Sequence, residues 1–220
     1  MSIVTPGAEI TPEDVLAEVK VAVVARSLRK RAFDIVVSAI ALLIFLPLLV
    51  VIGTAIWMES EGPILFRQQR TGLHGRPFRI YKFRTMRVVE DGAGLRQATR
   101  GDSRVTPLGA LLRKLSLDEL PQLLNVLKGE MSIVGPRPHA LAHDELWSRG
   151  IPGYAGRFRT RPGLTGAAQV EGFRGEVTCD EGIRGRIAAD NRYVDSWSFR
   201  TDLRLILQTV PLLFGDANAF

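Results

Sequence analysis

Residues 113–138, RKLSLDELPQLLNVLKGEMSIVGPRP, place two adjacent carboxylates, Asp118 and Glu119, between Arg113 and a Gly-Pro-Arg-Pro turn that carries Arg137. Ser116-Leu117-Asp118-Glu119 has the spacing of a capping box. It predicts a helix start with Ser116 as N-cap and Glu119 reaching back to it. Asp118 then falls in the first turn, where the helix dipole favours a charged carboxylate. At helical spacing Asp118, Gln122 and Asn125 share one face, and Leu117, Leu120, Leu124 and Leu127 share the opposite, apolar one. Pro121 is tolerable only near a helix start. Pro136 and Pro138 restrict the backbone around Arg137, and a fixed guanidinium fork suits a phosphate oxygen. First-turn acids are also ordinary caps, and an arginine between prolines is also an ordinary surface turn. Taken together, an acid pair flanked by guanidinium groups suggests phosphate chemistry assisted by a divalent metal.

Upstream lies Ala32 to Met58, an almost unbroken apolar run of about 27 residues, where about 20 suffice to cross a bilayer. Pro47 interrupts its middle and removes a backbone hydrogen bond, which bends a helix. Asp34 sits near its start, close to Arg29, Lys30 and Arg31. Basic residues flank both ends, with Arg67, Arg70, Arg76, Arg79 and Lys82 on the far side. The charge rule therefore places both ends on the cytoplasmic side. A helix that enters, breaks at Pro47 and returns satisfies that rule; a straight span is the alternative.

Between these stretches, Ile64-Leu65-Phe66 and Phe78 to Tyr81 are short strand-like runs, with Thr71-Gly72 and His74-Gly75 as the turn of a β-hairpin. Lys82 and Arg84 close the second run. They suit either lipid headgroups or a substrate phosphate. Glu90 to Arg104 reads as a loop, and Thr106-Pro107 opens a helix through Lys114 that carries Arg113. Near the N-terminus, Thr11-Pro12-Glu13-Asp14 predicts a surface helix up to Arg26. Downstream, helices are expected over Leu141 to Trp147, Ile187 to Val194 and Asp202 to Phe214, the last amphipathic and either packed on the domain or lying in the membrane interface. Tyr193, Trp197 and Phe199 suit headgroup level. Arg157, Arg159 and Arg161 lead into Pro162-Gly163-Leu164-Thr165-Gly166, where Gly163 and Gly166 can let backbone approach a ligand.

The 220 residues are 46% hydrophobic and 24% charged, with a net charge of +6. That balance suits an anionic membrane face, a phosphorylated substrate or nucleic acid. RNP aromatics, zinc-finger spacing and a basic recognition helix are absent, which argues against nucleic acid. One cysteine, Cys179, allows no intrachain disulfide.

LSLDELPQLLNVLKGEMSIVGPRP closely resembles the signature of the bacterial sugar transferases, the monotopic phosphoglycosyl transferases that begin glycan assembly on a polyprenyl phosphate. KFRTM (Lys82 to Met86), DSRVTPLG (Asp102 to Gly109), RPGLTG (Arg161 to Gly166) and AQV (Ala168 to Val170) resemble further family blocks in the family's order. The resemblance runs from Lys30 to the C-terminus. It implies an enzyme of the bacterial inner (cytoplasmic) membrane with its catalytic domain on the cytoplasmic face. The donor would be a nucleotide sugar, with uridine diphosphate as its carrier, and the acceptor undecaprenyl phosphate. The product would initiate exopolysaccharide or another surface glycan, lipopolysaccharide included.

Residue by residue, the resemblance implies Asp118 as the nucleophile of a covalent phospho-sugar intermediate. Asp118 and Glu119 would hold Mg²⁺, and Arg113, Arg137 and Arg161 would bind phosphate. A single-step transfer with Asp118 only as a metal ligand would use the same residues. A non-catalytic, membrane-bound module whose basic surface binds anionic lipid or nucleic acid is a further alternative, and it would need no acid pair beside the arginines. The chain departs from the family at Ala167, where relatives carry Trp, and at Glu171-Gly172-Phe173, where they carry Asn-Gly-Arg.

The expected architecture is α/β, mostly helical with a small β-hairpin. It comprises a tail and surface helix over 1–31, a re-entrant membrane helix over 32–58 broken at Pro47, and a compact cytosolic-face transferase domain over 59–220.

Overall fold

Lys30, Asp34 and Ser38 are buried polar residues at one end of a long helix, and Ile52, Gly53 and Ile56 are buried at the other. The fold is organised around that single stripe. The computed structural model describes residues 21–87, 102–173 and 180–215. Residues 11–20 of the expected surface helix and most of the Glu90–Arg104 loop lie outside these residues, as does Cys179. A short helix, α1 (Val23–Arg26), leads into α2 (Leu28–Glu59), which runs through Pro47 as one helix.

Most of α2 faces no protein. Leu43, Ile44, Leu46, Val50, Val51, Trp57 and Met58 are exposed, and only 11% of its most apolar 18-residue window is buried. A soluble core helix would hide those side chains. This one is long and apolar enough to cross a membrane.

Both ends of α2 are fastened to the same domain. Near its start, Lys30 Nζ donates to Asp202 Oδ2 at 2.8 Å. Asp34 accepts from Ser132 Oγ at 2.8 Å and from the Ile133 amide at 3.1 Å. Arg31 donates to the Val126 and Leu127 carbonyls at 2.6 and 2.7 Å, satisfying the orphan acceptors at the end of a neighbouring helix. Near its finish, Ile52 and Ile56 pack with Phe83 and Leu112. Arg84 Nη2 donates to the Ser60 carbonyl at 2.6 Å, where the helix ends.

The predicted hairpin is present and longer than expected: β1 (Leu65–Thr71) pairs antiparallel with β2 (Pro77–Phe83). Helix α3 (Pro107–Lys114) begins as predicted, with the Thr106 hydroxyl accepting from the Gly109 amide at 2.9 Å. The capping box does not form. Ser116 adopts a left-handed backbone (φ 56°) and makes no side-chain cap, a conformation that is uncommon for a residue with a Cβ and costs on the order of 1 kcal/mol. Leu117–Glu119 form a single 3₁₀ turn, and α4 (Gln122–Lys128) starts only after Pro121.

The face assignment of that segment holds only in part: Leu117 and Leu120 pack against the core clusters, but the expected polar face is buried as well. Asp118, Gln122 and Asn125 are buried, while Leu124 is 39% exposed. The reason is Asn125. Its Oδ1 accepts from the Tyr81 amide at 3.0 Å, and its Nδ2 donates to the Arg79 carbonyl at 2.7 Å. One side-chain amide thus stands in for a third strand on the edge of β2 and removes a pair of orphaned backbone groups.

A parallel pair not anticipated from the sequence, β3 (Ser132–Val134) with β4 (Gly163–Thr165), flanks the Gly-Pro-Arg-Pro turn. A Cβ on Gly163 would lie 2.1 Å from the Gly135 nitrogen, and one on Gly166 2.2 Å from the Gly135 carbonyl oxygen. The backbone that these glycines admit is therefore the chain's own, not a ligand's. Helix α5 (Leu141–Gly150), a 3₁₀ segment over Tyr154–Arg159 and α6 (Ala167–Val170) complete this part.

Helix α7 (Asp180–Asp195) is twice as long as expected, because Gly182 and Gly185 disguise its first half. Gly185 is needed there: the Phe173 ring lies 2.5 Å from where its Cβ would be. Helix α8 (Phe199–Gly215) is amphipathic, with Asp202 and Leu205 buried and Leu203, Leu207 and Val210 exposed. Tyr193, Trp197 and Phe199 are not free for headgroups. Tyr193 Oη and Trp197 Nε1 donate to Asp202 at 2.7 and 3.0 Å, and Phe199 stacks edge-on to Phe33.

Candidate active site

The acid pair lies where β2, the 3₁₀ turn and the Gly-Pro-Arg-Pro loop meet. Lys82 Nζ donates to Glu119 Oε1 at 2.7 Å. Arg137 grips the same carboxylate with both nitrogens, Nη2 to Oε1 at 2.6 Å and Nη1 to Oε2 at 3.1 Å. Glu119 does not reach back to Ser116 because these two cations hold it forward. Although Glu119 is desolvated, which raises a carboxyl pKa, Arg137 and Lys82 outweigh that and hold it well below the usual range.

Asp118 is the opposite case. It is buried, and among the described residues no group donates it a hydrogen bond. Burial raises its pKa to about 6, the Glu119 charge adds to the rise, and Lys82, Arg113 and Arg137 oppose it. Two neighbouring carboxyls with pKa values pushed apart are the usual mark of a division of labour. Glu119 is a fixed anion that organises cations. Asp118 is under-solvated, and its oxygens are uncommitted.

The structure gathers Asp118, Glu119, Lys82 and Arg137, with Arg113 at the end of α3 close enough for its charge to act on Asp118. Two predicted residues are elsewhere. Arg161 donates to the Gly129 carbonyl at 2.8 Å and the Ala25 carbonyl at 3.1 Å, so it ties α1 to the turn after α4. Arg84 is buried against the end of α2. Pro47 is itself exposed, between Ala41 and Leu42, which pack against one hydrophobic cluster of the domain, and Leu48 and Leu49, which pack against another. For Lys82, a carboxylate partner in the site replaces the headgroup alternative.

Sequence reading missed the support behind Arg137. Arg157 is buried. It bonds the Arg137 carbonyl, Asp190 Oδ2 at 3.1 Å, and Tyr154 Oη at 3.1 Å. Tyr154 Oη in turn donates to Asp144 at 2.5 Å. His139 lies against Arg157, and burial together with Arg157 and Arg186 keeps its imidazole neutral. The alternation Arg157, Arg159, Arg161 gave no hint that its first member points inward.

Mg²⁺ uses one or two carboxylates and completes its octahedron with water and phosphate oxygens. Asp118, whose oxygens are uncommitted, fits such a partial shell, whereas Glu119 would have to share oxygens that already accept from Lys82 and Arg137. Among the described residues no group of three His, Cys, Asp or Glu side chains could hold an ion unaided. The family departures have local roles. Glu171 pairs with Arg192 at 2.6 Å, and Ala167 packs against the core.

Residues 25–216 match the family model described as bacterial sugar transferase. The chain belongs to that family. It is 55% identical over 197 residues to a UDP-glucose:undecaprenyl-phosphate glucose-1-phosphate transferase of Caulobacter vibrioides, a match covering 90% of this chain and 74% of the relative. An Escherichia coli (strain K12) protein of the same description is 47% identical, covering 88% of this chain and 42% of the relative. An exopolysaccharide production protein PSS of Rhizobium leguminosarum bv. phaseoli is 45% identical, covering 82% of this chain and 92% of the relative. The chain thus spans less than half of one of these proteins and nearly all of another.

Proposed function

We propose that this chain transfers a sugar 1-phosphate, with glucose 1-phosphate the first candidate, from a UDP-sugar to undecaprenyl phosphate. The observation that carries the proposal is the acid pair: an uncommitted, high-pKa Asp118 beside a Glu119 clamped by Lys82 and Arg137. Relatives described as glucose-1-phosphate transferases support the choice of substrates.

Asp118 attacks the sugar-bearing phosphorus. A bond forms from its carboxylate oxygen to phosphorus, and the phosphorus–oxygen bond to uridine monophosphate breaks. An oxygen of undecaprenyl phosphate then attacks the same phosphorus, and Asp118 leaves as a carboxylate. Each anion must approach another anion, so Lys82, Arg137 and Arg113 are placed to take up the charge on phosphate oxygens. Mg²⁺ bound by Asp118 and Glu119 would supply further neutralisation of the diphosphate. The Arg157–Asp190 pair holds the Arg137 backbone so that its fork does not swing away.

The acceptor's phosphate lies at a membrane surface, so the site must lie there too. The placement of α2 supports a re-entrant anchor on the cytoplasmic face of the inner membrane. From Lys30 to Ile56 a straight helix rises about 39 Å, more than a hydrocarbon core of about 30 Å. Both ends are bonded to one polar domain, which cannot occupy both sides of a bilayer. We read α2 as entering the membrane from that one face; although it is continuous here, the bend that a return requires is placed at Pro47, whose missing N–H deprives the Leu43 carbonyl of its usual donor.

The test is transfer of labelled sugar phosphate from UDP-glucose to undecaprenyl phosphate in vesicles, followed across pH. Lipid-linked product is expected. Because Asp118 reacts as the carboxylate and its pKa is about 6, the rate should climb with pH through about 6 and level off above it, falling about tenfold per pH unit on the acid side. A profile flat from about pH 5 to 8 would remove Asp118 from the nucleophile's role.

A further inference from the structure

The hairpin face that carries Lys82 carries a second cation. Residues directly opposite in an antiparallel pair share a face, as do residues two apart on one strand. Phe66, Gln68 and Arg70 stand opposite Lys82, Ile80 and Phe78. Arg70 therefore projects to the same side as Lys82, and the burial of Ile80 and Phe78 makes it the domain side. Arg70 is close enough to Glu119, Arg137 and Asp144 for their charges to act on it.

Several nearby cations have anionic or carbonyl partners. Lys82 and Arg137 hold Glu119, Arg157 holds Asp190, and Arg84 and Arg161 hold backbone carbonyls. Arg70 has a single acceptor, Gln68 Oε1. Its Nε is buried without a partner, and so is Nε2 of the buried Gln68. Among the described residues no carboxylate pairs with Arg70. Burial and the Arg137 charge pull its pKa down to about 10. Arg70 is half-buried, and its orphaned Nε together with the orphaned amide of Gln68 beside it is costly to fold; an arriving oxyanion is the partner that would satisfy them.

We propose that Arg70, backed by Gln68, is a phosphate-binding subsite of the candidate active site, taking an oxygen of either the donor's diphosphate or the lipid acceptor's phosphate. This rests on the transferase reading above. It adds a contact on the β1 side, within reach of the Arg137 charge, and explains why a half-buried cation has no counter-ion.

The test uses the full chain in nanodiscs, titrated by calorimetry with UDP alone and, separately, with undecaprenyl phosphate in the disc. Arg70→Met keeps the apolar stem and removes the charge. If the subsite exists, apo Arg70→Met melts at or above the wild-type temperature, and one ligand binds about 10- to 100-fold more weakly. Arg70→Lys should recover part of the lost affinity. Loss confined to UDP assigns the subsite to the donor, and loss confined to the lipid assigns it to the acceptor. A lower apo melting temperature with both affinities unchanged would mean that Arg70 is structural, and the subsite would be overturned while the transferase reading stood. A wild type that binds neither ligand overturns both. Should Arg70→Met fail to fold, Arg70→Gln, which removes the charge and keeps a donor for Gln68 Oε1, gives the same affinity readout.

Discussion

Asp118→Asn should cut transfer on the order of 10⁴-fold, as loss of a nucleophile does, and should at the same time stabilise the protein. The second half follows from the sign of the pKa shift. The folded pKa of Asp118, about 6, lies above the ordinary 3.8. The fold therefore favours the protonated acid. That contribution is fully present below about pH 4 and is lost as pH rises through about 6. At neutral pH the buried carboxylate is a net cost, which asparagine removes. The gain should be on the order of 1–3 kcal/mol at pH 7–8 and should vanish near pH 4. Thermal unfolding at both pH values measures it. A destabilised Asp118→Asn at pH 8 would mean that the carboxylate is well solvated or paired, contrary to the geometry.

The second large effect concerns the anchor. Asp202 is 0% exposed and accepts from Lys30 Nζ, Tyr193 Oη and Trp197 Nε1. It ties the start of α2 to α7 and α8, and Tyr193 carries the network on to the Val134 carbonyl at 3.1 Å. Asp202→Ala strands a buried ammonium, with only Asp34 at 3.9 Å to share its charge. The expected loss is about 3–5 kcal/mol, or roughly 10 °C in Tm. The double variant Lys30→Met/Asp202→Leu should recover most of it, since an apolar pair removes both charges. If Asp202→Ala melts within about 2 °C of wild type, the two-ended attachment of α2 is weaker than drawn here.

Much of this arrangement was legible in the chain because it rests on local signals. The apolar run with basic flanks, the hairpin glycines and Thr106-Pro107 each act within a few residues, and each marked its element, although the expected break at Pro47 is absent and the hairpin is longer than read. What stayed hidden depends on partners distant in sequence. The capping box at Ser116 lost to Lys82 and Arg137, which approach Glu119 from 37 and 18 positions away. The leucine face of 117–127 turned outward at Leu124 because Asn125 is needed at the β2 edge. Strands β3 and β4 are three residues each and show no periodicity that could betray them. Arg157 and Arg161 look alike in sequence, and only the fold separates a residue buried behind Arg137 from one capping a distant turn.

The site divides the same way. Asp118, Glu119, Arg113 and Arg137 lie within one stretch and were read from it directly. Lys82 was ambiguous until the hairpin brought it to Glu119. Arg70 gave no local sign, because its meaning lies in having no counter-ion, which a sequence does not record.

The most direct measurement is trapping of the intermediate. Purified protein is mixed with Mg²⁺ and UDP-glucose labelled in the sugar, without lipid acceptor, and its intact mass is recorded beside Asp118→Asn. The account predicts a hexose-phosphate adduct on the wild type only, discharged when undecaprenyl phosphate is added. Lipid-linked product from a wild type that never carries the adduct would contradict the covalent role of Asp118 and leave direct transfer in its place.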